Sequence, residues 1–109
     1  MPHIVVEYSA NLEKEIAASE LTQKLHKTVV DSGIFSPDAV KARSVKYDDF
    51  VLTSAKSFIH ITTAILTGRS VEQRAALSGA IFKTVKENVP QAEKISSHIR
   101  EMCAETYRK

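Results

Sequence analysis

The sequence predicts an α/β (α+β) fold: a four-stranded sheet with two helices on one face, related by an approximate two-fold. Three observations predict it. The 109 residues suffice for one domain around one core. Apolar residues follow a strand, helix, strand rhythm and then repeat it. The two passes share residues as well: His3-Ile4 matches His60-Ile61, and Leu21-Thr22-x-x-Leu25-x-Lys27-Thr28-Val29 matches Leu77-Ser78-x-x-Ile81-x-Lys83-Thr84-Val85. The domain is residues 1–109, with repeats over roughly 2–52 and 57–105.

Residues 3–8 are β-branched and aromatic and read as a strand, broken by Ser9-Ala10-Asn11. Residues 12–32 read as a helix, because Leu12, Ile16, Leu21, Leu25 and Val29 recur at four- and five-residue intervals. Gly33 stops it. A loop carrying Pro37 leads to a strand over 39–47, and residues 48–57 are irregular with a short strand at Phe50-Val51-Leu52. Residues 58–66 form the third long strand. After the turn Thr67-Gly68-Arg69, Ser70 and Gln73 have the spacing of a capping box and open a helix that runs to about Asn88. Pro90 lies beyond it, and residues 94–102 make the last strand. The tail 103–109 has no clear pattern. With both helices on one face, the other face of the sheet needs cover from a partner, which implies an oligomer.

Composition excludes several classes. No apolar run spans a bilayer, and the first residues lack the parts of a signal peptide. Fifteen Lys and Arg against thirteen Asp and Glu give a formal net charge of only +2, and the charges are interspersed, so no nucleic-acid surface is implied. The single cysteine, Cys103, has no intrachain partner, which fits a reducing cytoplasm. The four histidines are dispersed, and no spacing suggests a metal site. No glycine-rich phosphate loop is present.

The residue of greatest chemical interest is Pro2. If Met1 is removed, Pro2 becomes a secondary amine at the head of a strand. An α-amino group titrates at about 7.7–8.0, and cations or burial lower that value, toward the optimum for a general base at neutral pH. With Met1 in place the same nitrogen is an amide without basicity. The competing use is plain: proline at the first residue of a strand loses little by lacking an N–H.

The opening Pro2-His3-Ile4-Val5-Val6-Glu7-Tyr8-Ser9-Ala10-Asn11-Leu12 and the doubled β-α-β unit resemble the 5-carboxymethyl-2-hydroxymuconate isomerases of the tautomerase superfamily. Gly33-Ile34-Phe35, Gly68-Arg69-Ser70 and Ile99-Arg100-Glu101 add to the resemblance, which covers nearly the whole chain. It implies a homotrimer with an active site near each subunit boundary and no metal or organic cofactor. It implies a substrate that is a small unsaturated dicarboxylate in its dienol form. The amine of Pro2 takes a proton from that dienol and returns it at another carbon, giving a conjugated ketone.

Arg69 is then the candidate for gripping a carboxylate. It stands at a strand-to-helix turn, where helix N–H groups already favour anions, and its guanidinium fork suits two-point binding. The arginine that the family carries in its second strand falls on Lys41, with Arg43 two residues later on the same face; either would lower the pKa of a nearby ammonium. A solvated basic edge that resists strand addition explains both residues equally well. A second function class remains: a non-catalytic oligomer of this fold that binds a small carboxylate or a protein partner. A third keeps Pro2 but changes the reaction to decarboxylation or dehalogenation, with Glu7 or Glu101 as the added acid.

Overall fold

The computed structural model describes all residues 1–109. The elements are β1 (His3–Ser9), a 3-10 turn (Ala10–Lys14), α1 (Ala18–Asp31), a second 3-10 turn (Pro37–Ala39), β2 (Lys41–Tyr47), β3 (Phe58–Leu66), α2 (Val71–Asn88) and β4 (Lys94–Met102). They form one four-stranded sheet in the order β2-β1-β3-β4. β1 and β2 are parallel, as are β3 and β4, while β1 and β3 meet antiparallel at the centre. This is the two-fold arrangement the repeated pattern predicts. Val5 pairs with Thr62 at the centre, and each has a histidine two residues before it, His3 and His60. The helices meet on the same approximate axis, where Thr28 and Thr84, matched in the two repeats, hydrogen-bond through their hydroxyls at 2.7 Å.

Alternation decides the two faces of the sheet. Ile4, Val6 and Tyr8 of β1 and Ile59, Ile61, Thr63 and Ile65 of β3 turn to the helices and are buried. Leu21, Leu25 and Val29 of α1 meet them, as do Leu77, Ile81 and Val85 of α2, at the four-residue spacing that puts side chains on one helix face. Burial of each such side chain contributes roughly 1.5–3 kcal/mol. The opposite face bears no helix. It presents His3, Arg43, His60, His98 and Arg100, all partly or fully exposed. No helix is long and apolar enough to cross a membrane.

Two expectations shift. The first helix starts at Ala18, not at residue 12, and a 3-10 turn takes the residues between. Side chains compete there with the helical ladder. Ser9 Oγ accepts from the Phe58 amide at 3.0 Å and donates to Asn11 Oδ1 at 2.8 Å, while Asn11 Nδ2 donates to the Lys56 carbonyl at 2.8 Å. Leu12 is buried all the same. The short strand at 50–52 is absent. Phe50 packs edge-on against Phe58, 5.5 Å between centroids, and Val51 is 95% exposed, so the segment is a loop held by one ring. The capping box on α2 is present with both of its hydrogen bonds.

One core position is imperfect. Thr63 is fully buried and its hydroxyl has no partner. A buried orphan hydroxyl costs about 1–3 kcal/mol. Thr63→Val keeps the shape and removes the unpaired group, so it is expected to raise unfolding stability by about 1 kcal/mol, read as a higher midpoint in urea with an unchanged slope.

Candidate active site

The start of β1, the end of β3, the first turn of α2 and the tail converge on one cleft of about 690 Å³. Met1, Phe35, Arg69 and Lys109 line it, and none of its lining residues is Asp or Glu. None of the chain's three ion pairs involves Arg69 or Lys109. Two cationic side chains, Arg69 and Lys109, thus line the cleft with no Asp or Glu beside them, which suits an anion.

Each side chain is placed by a local rule. Gly68, at φ +123°, takes a backbone conformation that side chains rarely adopt, and so turns β3 toward α2. Arg69 follows it, just before the cap Ser70. Its Nη2 donates to the Ile34 carbonyl at 2.6 Å, and its guanidinium lies 5.2 Å from the centre of the Phe35 ring. Two stretches that the sequence singles out separately, Gly33-Ile34-Phe35 and Gly68-Arg69-Ser70, are thus one structural unit. A single hydrogen bond leaves four of the five guanidinium N–H groups for a ligand.

The amino terminus is pinned beside them. The Met1 amine donates to the Ala39 carbonyl at 3.0 Å, and Lys41 Nζ donates to the same oxygen at 3.2 Å. The Lys41 amide donates to the Pro2 carbonyl at 3.0 Å. Burial, then Lys41, then Lys109 hold the amine below its usual value of 8.0. Pro2 itself is buried, beneath the Met1 that lines the cleft.

Lys41 and Arg43 both lie on the exposed sheet face, but they differ in place. Lys41 pairs with His3 in the ladder and reaches the amino terminus. Arg43 pairs with Val5, one step further along, and its Nη1 donates to His3 Nδ1 at 3.2 Å. Neither lines the cleft. That donation makes Nδ1 an acceptor, so neutral His3 carries its proton on Nε2 and donates to Tyr107 Oη at 2.8 Å. Burial first, and then Arg43, the N-terminal amine and Lys41, lower the His3 pKa below 6.5, consistent with a neutral ring.

The candidate acids Glu7 and Glu101, and several aromatic side chains, lie elsewhere. Glu7 accepts from Tyr47 Oη at 2.6 Å and Glu101 pairs with Arg74 at 3.6 Å. Tyr47 and Phe58 pack together at the far end of the sheet. Tyr8 donates to Glu13 at 2.8 Å, and burial pushes its pKa up to about 12. Cys103 is exposed. A second groove of about 530 Å³ runs between the helices, but Asp31, Lys83 and Glu87 give it mixed charge. Sequence reasoning missed Phe35 as the platform under Arg69, and Tyr107 and Lys109 entirely. The only signal for the last two is an aromatic and a cation in an unpatterned tail.

The order β-α-β-β-α-β in one four-stranded sheet is the tautomerase architecture. The model of the family described as 5-carboxymethyl-2-hydroxymuconate isomerase matches residues 2–106. The 5-carboxymethyl-2-hydroxymuconate Delta-isomerase of Escherichia coli is 29% identical over 89 residues, covering 79% of this chain and 71% of that protein. The crystal structure of a 5-carboxymethyl-2-hydroxymuconate isomerase from Deinococcus radiodurans R1 superposes with a TM-score of 0.87 at 26% identity, covering 99% of this chain and 87% of that one. A fused 4-OT solved as a symmetric trimer shares the fold, with a TM-score of 0.75 at 19% identity over 93% of this chain and 85% of that one. The chain belongs to the 5-carboxymethyl-2-hydroxymuconate isomerase family, and is an isomerase.

Proposed function

We propose that this isomerase uses the amine of Pro2, freed by loss of Met1, as its base and then as its acid. The substrate is an unsaturated 2-hydroxy carboxylic acid of the class that names the family: 5-carboxymethyl-2-hydroxymuconate has the two carboxylates of muconate and a third on its carboxymethyl arm. The Pro2 nitrogen accepts the hydroxyl proton of the dienol. The O–H electron pair becomes the carbonyl bond, the diene electrons move toward its far carbon, and that carbon takes the proton back from the ammonium. The product is a ketone conjugated with the remaining double bond. One atom carries the proton both ways, so no cofactor is needed.

The observation that carries this reading is the placement of Met1, the residue bonded to the Pro2 nitrogen, in a cleft lined by the Arg69 side chain and by no Asp or Glu. Arg69 holds a substrate carboxylate beside the carbonyl that forms. Lys41, at the amino terminus, adds to burial in disfavouring the ammonium. Arg43 acts one step away, through His3. The test is ketonisation of a 2-hydroxymuconate-type dienol, followed by ultraviolet absorbance, in protein shown by intact mass to lack Met1. The non-catalytic alternative, a carboxylate binder, is favoured by one observation, the occupation of the cleft by Met1. Equal turnover by the Met1-retaining and Met1-free forms would sink the Pro2 mechanism.

We also propose a homotrimer in the cytoplasm. The helix-free sheet face, and Val45 of the edge strand at 44% exposure, support burial between subunits. Sedimentation equilibrium is expected to give three times the 12.1 kDa chain mass, and a monomer at micromolar concentration would contradict it.

A further inference from the structure

The isomerase mechanism does not use Gln73, which caps α2 and also lines the cleft with Arg69. The capping box fixes its side chain. The Gln73 amide donates to Ser70 Oγ at 3.1 Å, and Gln73 Oε1 accepts from the Ser70 amide at 3.0 Å. A backbone N–H needs an acceptor, so the oxygen of the side-chain amide must face it and the nitrogen cannot. Nε2 therefore points away from the Ser70 amide, and neither of its N–H groups has a partner in the chain. Ile34 and Gln73 line both this cleft and the groove between the helices, so they mark the place where the two meet. The Arg69 guanidinium is at the same place, since its Nη2 donates to the Ile34 carbonyl at 2.6 Å. A charged fork and a free neutral donor thus share one end of the cleft.

A carboxylate offers about four lone-pair directions on its two oxygens, and a guanidinium on one side leaves some of them open. An acceptor taken from water without a donor is costly. We propose that Gln73 is a specificity-determining residue that donates from Nε2 to the substrate carboxylate gripped by Arg69. It adds a donor without adding a charge, so it tightens the hold on a carboxylate and leaves the base at the other end of the cleft untouched. The two ends of one side-chain amide divide the tasks. Oε1 closes the helix cap, and that bond holds Nε2 in place with little rotamer freedom left to lose on binding. This rests on the isomerase reading for the cleft as the substrate site, but not for Pro2 as the base.

The experiment uses Met1-free full-length protein titrated with trans,trans-muconate, which has the diene and its carboxylates but no enol hydroxyl to ketonise. Binding is followed by NMR at the Nε2 protons of Gln73, assigned by their absence from Gln73→Met. They are expected to move downfield as muconate saturates the cleft, whereas a residue that only caps the helix would leave them in place. Two substitutions then separate the roles by their order. Gln73→Glu keeps the capping box but replaces the donor with an anion, and Gln73→Met loses both box and donor. Gln73→Met is expected to bind muconate about tenfold more weakly, the loss of one hydrogen bond to a charged group. Gln73→Glu is expected to bind more weakly still, although its urea midpoint is no lower than that of wild type. A cap alone would give the reverse order. Ser70→Ala, which breaks one half of the box and spares Nε2, is expected to unfold earlier yet to stay within about twofold of the wild-type affinity. Unmoved Nε2 protons at saturation, the reverse order of the two Gln73 variants, or an equal loss in Ser70→Ala would overturn the proposal. No binding by wild type would remove the cleft as the substrate site, and the proposal with it. Muconate binding that depends on Gln73, in protein that fails to ketonise a dienol, would support the proposal and sink the Pro2 mechanism alone.

Discussion

Protein that keeps Met1 is expected to ketonise a 2-hydroxymuconate-type dienol about a hundred to ten thousand times more slowly than protein that has lost it, the range that a positioned general base contributes. Two physical effects act together. Acylated by Met1, the Pro2 nitrogen has no basic lone pair. Met1 also occupies the cleft, with its amine bonded to Ala39. Removal of Met1 uncovers a secondary amine in surroundings that already depress an amine: burial, then Lys41, then Lys109. The sign follows from the charge state. These effects disfavour the ammonium, so the basic form persists to lower pH than for a free amino terminus. The rate constant kcat/KM should therefore rise with pH through a midpoint below that of an unperturbed amino terminus. Pro2→Ala in Met1-free protein keeps an amine but frees the backbone that the ring fixed, and should lose most of the activity. A midpoint unchanged in Lys41→Met and Lys109→Met would show that these cations do not tune the base.

The β-α-β rhythm was legible because burial follows it faithfully: each buried residue of β3 alternates with a half-exposed one. The capping box was legible for the same kind of reason, since Ser70 and Gln73 satisfy each other within four residues. The start of α1 was not. Asn11 reaches the Lys56 carbonyl, forty-five residues away in sequence, and that bond competes with a local helix. The site divides in the same way. Pro2 and Arg69 stand in short motifs that a resemblance can find. The difference between Lys41 and Arg43 depends on ladder register and on His3, which no local pattern reports. The Tyr107–His3 contact joins residues 104 apart in sequence, so the tail looked featureless.

Arg69→Ala is expected to lower kcat/KM about a hundredfold, which corresponds to a charge-assisted contact of nearly 3 kcal/mol. Arg69 is held from two sides, by the Ile34 carbonyl and the Phe35 ring, so little rotamer entropy is left to lose when a carboxylate binds. That preorganisation is what makes the expected loss large. The same two contacts predict a modest structural cost. A cation over an aromatic ring contributes about 0.5–1 kcal/mol at an exposed site, so the urea midpoint should fall only slightly and the chain should stay folded. Arg69→Lys separates charge from geometry. A lysine restores the positive charge but not the fork, and it cannot stack on Phe35 while donating to Ile34. It should recover only part of the loss, with more effect on KM than on kcat. Steady-state kinetics beside a urea titration of each variant measures both quantities. Full activity in Arg69→Ala would mean that the carboxylate is held elsewhere, and Lys41, already at the amino terminus, would then be the residue to change.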